Sequence, residues 1–190
     1  MKRKTHPWLE GLSKFGFASD SENPGGLIRR VGFIEQSVSA IKPRFEPNEV
    51  IVRLGVGYTE RFREPPISVL WLMADLPKGK APDIKSAGNQ WPRADNEAIT
   101  AALVEYAMPW FDKYSEPETL IEHFRVHLKE KNAPGDHRTL CALYFETGQM
   151  QKACQHAKAW LDTTPNTEGW AKQRSAMKRQ MREMGCKEKA

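Results

Sequence analysis

One stretch of the sequence decides the fold: residues 48–58, which read NEVIVRLGVGY. Apolar side chains occupy every second position from Val50 to Tyr58, and they alternate with Ile51, Arg53 and two glycines. A period of two is typical of a β-strand that buries one face. We therefore predict a strand over residues 48–58, in a sheet with one face packed against a core.

Two more strands are predicted, one before and one after this stretch along the chain. Residues 27–36 are apolar and β-branched, and they follow the turn signal Asn-Pro-Gly-Gly. Residues 67–74 carry apolar side chains on both faces, so we expect this strand to be covered on both sides. Residues 76–96 contain three prolines and two glycines, which predicts a long loop.

The hydrophobic period then changes to that of helices. Apolar residues in 99–110 recur at i, i+3, i+4 and i+7, and Pro109 is expected to kink or end this helix. Ser115 and Glu118 have the spacing of a capping box, so the next helix is expected to begin there. After a break, two helices form a hairpin, and Thr164 followed by proline is expected to open a third.

This order of strands before helices predicts the α+β class. Residues 1–131 are expected to form an α+β domain, a small antiparallel sheet packed by helices. Residues 132–190 are expected to form an all-helical C-terminal extension, consisting of the helical hairpin and a basic amphipathic last helix.

The formal charge of +5 is concentrated at the C-terminus. Residues 171–190 contain seven basic and two acidic residues, which accounts for the whole excess. A uniformly basic nucleic-acid-binding surface is therefore not predicted. The tail also lacks aromatic residues that could stack on bases, so the sequence does not favour a nucleic-acid partner.

Cysteine usage and hydropathy predict a cytoplasmic protein. The chain has an odd number of cysteines, and they are widely spaced: Cys141, Cys154 and Cys186. This argues against a disulfide framework and for a reducing compartment. No apolar run approaches the roughly 18 residues that a membrane span needs. The basic start of the chain is not followed by the apolar stretch of a secretory signal.

Four short motifs lie between residues 8 and 128. They are Lys14-Phe15-Gly16-Phe17 after the first helix, an arginine-rich strand leading to Glu35-Gln36-Ser37, the strand Val50–Val56, and the segment Met108–Ser115 that closes a helix. Together they resemble a bacterial family of domains of unknown function. The genomic surroundings of that family suggest immunity proteins of polymorphic or contact-dependent toxins. The resemblance implies a toxin-neutralising role and supplies no catalytic residues.

A second resemblance covers residues 140–165, which look like one tetratricopeptide-type repeat. The residues that match its spacing are Leu140, Cys141, Tyr144, Gly148, Ala153, Ala157 and Pro165. Trp160 departs from the repeat, which prefers alanine at that position. One repeat cannot form a binding groove alone, so we expect a hairpin that is closed by the third helix and either braces the domain or binds a partner.

Two histidines are the strongest candidates for metal binding. His123 and His127 are spaced i, i+4 on one helix, but Phe124 occupies the position where a metalloprotease motif needs glutamate. A third ligand would have to come from one of three residues: His137, Cys141 or His156. Nothing in the sequence fixes that ligand, so we predict no metal and no cofactor.

Catalytic motifs are not found elsewhere in the sequence. Gly55 and Gly57 form a Gly-x-Gly inside a strand, whereas a phosphate-binding loop opens onto a helix. No nucleophile elbow and no cysteine–histidine motif is present. The sequence therefore predicts a non-catalytic binding protein.

The leading hypothesis is an immunity protein that neutralises a cognate toxin by stoichiometric burial of a complementary surface. The expected contacts are basic and aromatic residues of two exposed connections: Arg61, Arg63, Lys78, Lys80, Trp91 and Arg93. A general adaptor that uses the helical hairpin and the basic tail is one alternative. A metal-dependent hydrolase, which rests on the histidine pair alone, is the other.

Overall fold

A computed structural model describes residues 8–20, 26–60, 67–82, 90–131 and 133–186. The chain forms two compact units. The first comprises Met1–Thr59 and Ser68–Ser115, and the second comprises Glu60–Ile67 and Glu116–Ala190. The boundary follows Ser115 and not residue 131, because the helix over 117–131 packs with the helices that come after it.

The predicted α+β class is confirmed, with an antiparallel sheet in the first unit. Hydrogen bonds join its first five strands in the order β1-β2-β3-β4-β5, and β6 pairs with β4. The strands are β1 (Ala18–Ser19), β2 (Gly26–Val31), β3 (Ile34–Ile41), β4 (Glu49–Glu60), β5 (Ile67–Asp75) and β6 (Gln90–Pro92).

Strand β4 confirms the prediction made for residues 48–58. Its alternate side chains from Val50 to Tyr58 are all buried, with exposed fractions of 8% or less. Gly55 and Gly57 lie within the ladder, opposite Ser37 and Glu35 of β3. They are therefore strand residues, and not part of a loop that opens onto a helix.

The single strand predicted over residues 27–36 is wrong, because this segment is a hairpin. Gly32 and Phe33 form a two-residue turn between β2 and β3, and Val31 pairs with Ile34 across it. Gly32 has a φ of +60°, a backbone conformation that glycine adopts without steric cost and that tight hairpins require. The turn was not predicted because Gly32 is followed by Phe33 and not by a second turn-forming residue.

Two further expectations about the sheet are corrected. Met73 is 49% exposed whereas Leu72 and Ala74 are buried, so β5 is open on one face at this point. The expected loop over residues 76–96 contains the short strand β6, in which Trp91 pairs with Val50 of β4. Three residues are too few to produce a visible period in the sequence.

The helices of the first unit are α1 (Leu9–Ser13), α2 (Asn96–Ala102) and α3 (Met108–Lys113), with a π-helical turn, Leu103–Ala107, between the last two. Pro109 does not end the helix. Proline lacks an N–H, and its ring displaces the carbonyl four residues before it. The π-helical turn accommodates Pro109 within the helix, because the Met108 N–H bonds to the Leu103 carbonyl, five residues back.

A buried amide holds the C-terminal end of α3 against the sheet. Gln36 is fully buried, and its Nε2 donates to the Phe111 carbonyl at 2.7 Å and to the Ser115 hydroxyl at 2.9 Å. The Ser115 hydroxyl in turn donates to the Phe111 carbonyl. Ser115 is therefore occupied within the first unit, and the next helix begins two residues later, at Pro117.

Arg29 extends this arrangement. Its guanidinium donates to the Gln36 side chain, to the Phe15 carbonyl at 3.2 Å and to Asp112 at 2.8 Å. It also lies 5.3 Å from the centroid of the Phe17 ring. Three of the four motifs that carry the family resemblance thus meet in one hydrogen-bonded cluster, which gives them a structural role.

The described part of the second unit is helical from Pro117 onward. Its helices are α4 (Pro117–Lys131), α5 (Pro134–Glu146), α6 (Met150–Thr163) and α7 (Ala171–Glu183), with a 3₁₀ turn, Glu168–Trp170, before α7. Gly148 ends α5 as predicted, with a φ of +74°. Thr164 does not open a helix, since its N–H bonds to the Trp160 carbonyl and closes α6.

The hairpin of α5 and α6 is closely packed. Five of the residues that match the repeat, Leu140, Cys141, Tyr144, Ala153 and Ala157, are buried, and so is Trp160, which departs from it. Small side chains at the contact let two helices approach, as the sequence pattern requires. None of the helices in the described ranges has the length and apolar character that crossing a bilayer demands.

The cysteine spacing argued against disulfides, and this prediction is wrong for two of the three cysteines. Cys154 in α6 and Cys186 just after α7 form a disulfide, with their Cα atoms 5.5 Å apart. The chain returns along α6 through α7, and this tertiary contact cannot be read from spacing alone. Cys141 remains a free, buried thiol. The cysteines therefore no longer argue for a reducing compartment.

Candidate partner-binding surface

Three of the six predicted contact residues are exposed at one end of the sheet. Lys78 and Lys80 follow β5, and Arg93 follows β6. Within the described residues, none of their side chains enters an ion pair. In contrast, three arginines of the strands are each paired with a carboxylate: Arg29 with Asp112, Arg30 with Glu35 and Arg53 with Asp75. The charges of Lys78, Lys80 and Arg93 face solvent.

Trp91 does not belong to this exposed set. It is 6% exposed, and its indole N–H donates to the Leu76 carbonyl at 2.9 Å. The Lys78 ammonium lies 5.8 Å from the centroid of its ring. Trp91 is therefore a core residue that supports the chain around Lys78, and not the exposed loop residue that the sequence led us to expect. Arg61 and Arg63 lie outside the described residues.

The same region has an exposed aromatic residue, Phe45, that was not singled out from the sequence. Phe45, in the connection from β3 to β4, is 81% exposed, and the Arg44 guanidinium lies 5.4 Å from the centroid of its ring. An aromatic residue between Pro43 and Pro47, in a polar connection, was the available signal. A local pattern gives no measure of exposure, so the residue was not singled out.

Backbone hydrogen bonds place this connection and the segments that follow β5 and β6 at the same end of the sheet. The Arg93 N–H donates to the Asn48 carbonyl at 2.7 Å, and the Leu76 N–H donates to the Val52 carbonyl at 2.8 Å. The residues after β5 and β6 therefore lie at the end of the sheet where β4 begins. We call the exposed set there the sheet-end surface: Arg44, Phe45, Lys78, Lys80 and Arg93.

The sheet-end surface has an excess of positive charge. The described segments 42–49, 76–82 and 90–95 contain five basic side chains and three acidic ones. Of the acids, Asp95 accepts a hydrogen bond from the Ala98 N–H and caps α2. A partner surface rich in carboxylates would complement this arrangement.

The histidine pair proposed for metal binding does not converge on a common point. The His127 Nδ1 lies 2.6 Å from Asp136 Oδ2, while the His123 ring packs edge-on against Phe124. Within the described ranges, no three side chains among His, Cys, Asp and Glu are grouped so that they could hold a metal ion. The buried Cys141 is not placed as a nucleophile, because burial raises the pKa of its thiol to about 12.

Two other histidines form a close pair between α5 and α6. The Nδ1 atoms of His137 and His156 are 2.9 Å apart, and the Tyr144 ring stacks on His156. Burial lowers the pKa of His137. Burial, with the charges of His137 and Arg125, lowers the pKa of His156 to about 4. Both rings are therefore neutral at pH 7, and one N–H donates to the other nitrogen.

Part of the basic C-terminal charge has a structural role. The Arg174 guanidinium donates to the Leu161 and Thr164 carbonyls, each at 2.6 Å, and so satisfies carbonyls at the end of α6. Lys172 and Lys178 are exposed on α7 and remain available to solvent.

The chain matches no protein-family model, no curated protein and no solved structure. The resemblance to toxin-immunity domains therefore stays a prediction.

Proposed function

We propose that this protein is a non-catalytic immunity protein that neutralises a cognate bacterial toxin by stoichiometric binding through the sheet-end surface. The observation that carries the proposal is the group of exposed cations Lys78, Lys80 and Arg93, which follow strands β5 and β6 and have no carboxylate partner among the described residues. Cations left unpaired in the free protein can pair with a partner's carboxylates on binding.

The placement of these cations favours fast and selective binding. The Arg93 backbone is held by its hydrogen bond to Asn48, and the chain just before Lys78 is held by the bond of Leu76 to Val52 and by the buried Trp91. Backbone order that exists before binding need not be gained on binding, which lowers the entropic cost. Complementary charge steers a partner and raises its association rate.

A general adaptor that acts through the second unit is the alternative. Its supporting observation is that Lys172 and Lys178 are exposed on α7. Arg174 is committed to the end of α6, so the basic charge that such an adaptor could use is smaller than the sequence suggests.

The test is co-expression with the product of the neighbouring gene, followed by a binding measurement on the purified pair. We expect the unchanged protein to rescue growth and to bind with a Kd near 1 nM, about −12 kcal/mol. The triple variant Lys78→Glu, Lys80→Glu and Arg93→Glu should lose rescue, and the association rate should fall by roughly 100-fold.

The matched control reverses three exposed lysines of the second unit: Lys158, Lys172 and Lys178. This control changes the net charge by the same amount and should retain rescue. If only the control variant loses binding, the adaptor hypothesis is favoured. A neighbouring product that is harmless alone, or that the unchanged protein does not bind, contradicts the immunity hypothesis.

A further inference from the structure

We propose that Phe45 is the apolar anchor of the sheet-end surface, and that its ring inserts into an apolar pocket rimmed by carboxylates on a protein partner. This inference rests on the proposed function and names the chemistry of the partner's site. Phe45 is 81% exposed, the largest exposed fraction among the exposed large apolar side chains of the described residues. A ring so exposed in the free protein has most of its apolar area available for burial in a complex.

The connection that carries Phe45 is shaped before binding. Pro43 and Pro47 restrict the backbone on each side of the aromatic residue. The Glu49 N–H donates to the Glu46 carbonyl at 3.1 Å, which closes a turn just after the ring. A protruding aromatic side chain on a restricted loop loses little freedom on binding, which is the property of an interface anchor.

The charges near the ring define the rim of the complementary pocket. Arg44 lies 5.4 Å from the centroid of the Phe45 ring, so its guanidinium accompanies the ring into any interface. Aromatic residues and arginine are both enriched at interface cores. A guanidinium brought to a pocket edge needs a carboxylate partner, because an unpaired charge removed from water is strongly unfavourable. Lys78, Lys80 and Arg93 would pair with carboxylates that lie farther from the pocket on the partner's surface.

The same residues do not favour single-stranded nucleic acid. Binding of that class uses several aromatic rings in a row along a basic groove. Among the described residues at this end of the sheet, the Phe45 ring is exposed and the Trp91 ring is buried. One exposed ring is too few for such stacking, so a protein partner is favoured over a single strand.

The experiment measures affinity for the neighbouring gene's product, purified in an activity-disabled form. Phe45→Ala should weaken binding roughly 30-fold, mainly through faster dissociation. Phe45→Trp keeps an aromatic anchor and should bind within about threefold of the unchanged protein. Met73→Ala is the control, since Met73 is 49% exposed in the same unit but lies outside the sheet-end surface; it should leave affinity unchanged.

The outcomes separate the inference from the function on which it rests. Binding by the unchanged protein together with equal binding by Phe45→Ala overturns the anchor and leaves the proposed function standing. Absence of binding by the unchanged protein overturns both. Thermal unfolding of each variant checks that the fold is intact, and the high exposure of Phe45 predicts an unchanged Tm. Tight binding of a fluorescent 20-nucleotide single-stranded DNA, lost in Phe45→Ala, would reassign the ring to nucleic-acid stacking and overturn the proposal.

Discussion

The two units of the chain are stabilised by different chemistry. In the described part of the first unit, the buried polar side chains are the Gln36 amide and the carboxylates of Glu35 and Asp75, which pair with Arg30 and Arg53. The second unit contains all three cysteines and four of the five histidines of the sequence. It has the disulfide between Cys154 and Cys186 and the pair of His137 with His156.

This difference separates two kinds of stability. Packing, amide hydrogen bonds and arginine–carboxylate pairs do not respond to redox conditions, and none of them in the described first unit involves a thiol or a histidine. A disulfide responds to redox conditions, and a neutral histidine pair responds to pH. We therefore expect the first unit, which holds the sheet-end surface, to keep its structure under conditions that loosen the second.

The largest expected effect is on packing in the first unit. Trp91→Ala removes a buried indole and its hydrogen bond to Leu76, and we expect the first unit to lose about 4 kcal/mol of unfolding free energy. The measurement is the urea midpoint, together with hydrogen exchange of peptides from β4. Arg93 is an exposed neighbour of Trp91, and Arg93→Ala should change the free energy of unfolding by less than about 0.5 kcal/mol. Equal effects of the two variants would show that Trp91 is not a core residue.

The second prediction concerns the disulfide. Cys154 and Cys186 are separated by 32 residues, so reduction should cost the second unit about 3.5 kcal/mol through the larger freedom of its unfolded chain. Dithiothreitol should lower the thermal midpoint of the second unit and speed hydrogen exchange in α6 and α7. Exchange in β4 should not change.

The double variant Cys154→Ser and Cys186→Ser serves as the control for reduction. It should resemble the reduced protein and should not respond to dithiothreitol. An unreduced protein in which three thiols react with a thiol reagent after unfolding would show that the disulfide does not form.

Local patterns in the sequence predicted part of this picture. The strand at residues 48–58 was predicted from its period of two, and the end of α5 at Gly148 from a single residue type. Both predictions are confirmed. The Cys154–Cys186 bond and the burial of Trp91 depend on segments distant in sequence that fold together. No spacing rule specifies those contacts.

The candidate surface was predicted only in part for the same reason. Residue type identified Lys78, Lys80 and Arg93, which are exposed, but it also selected Trp91, which is buried. Phe45 was overlooked because an apolar side chain is ordinarily expected inside the fold. Exposure is a property of the tertiary structure, and it decides which of these residues a partner can reach.

The smallest expected effect is on pH dependence, and it distinguishes the units most directly. Unfolding returns His156 to a pKa near 6.5, whereas burial and the charges of His137 and Arg125 hold its folded pKa at about 4. The unfolded chain therefore binds more protons between these values, and stability of the second unit falls as the pH is lowered through this window. His156 is about half buried, so we discount the shift for solvent screening and expect a loss of about 1 kcal/mol from pH 7 to 5.

The variant His156→Gln assigns this loss to the histidine pair. Glutamine can still accept a hydrogen bond from His137, but it does not titrate, so the loss between pH 7 and 5 should shrink by more than half. His137, whose pKa burial also lowers, accounts for the part that remains. Hydrogen exchange in α5 and α6 at each pH gives the measurement, and exchange in β4 provides the internal reference because the described first unit contains no histidine. If β4 loses protection as steeply as α5 and α6, or if His156→Gln leaves the slope unchanged, then the pH response does not originate in the His137–His156 pair, and the contrast between the units would rest on the disulfide alone.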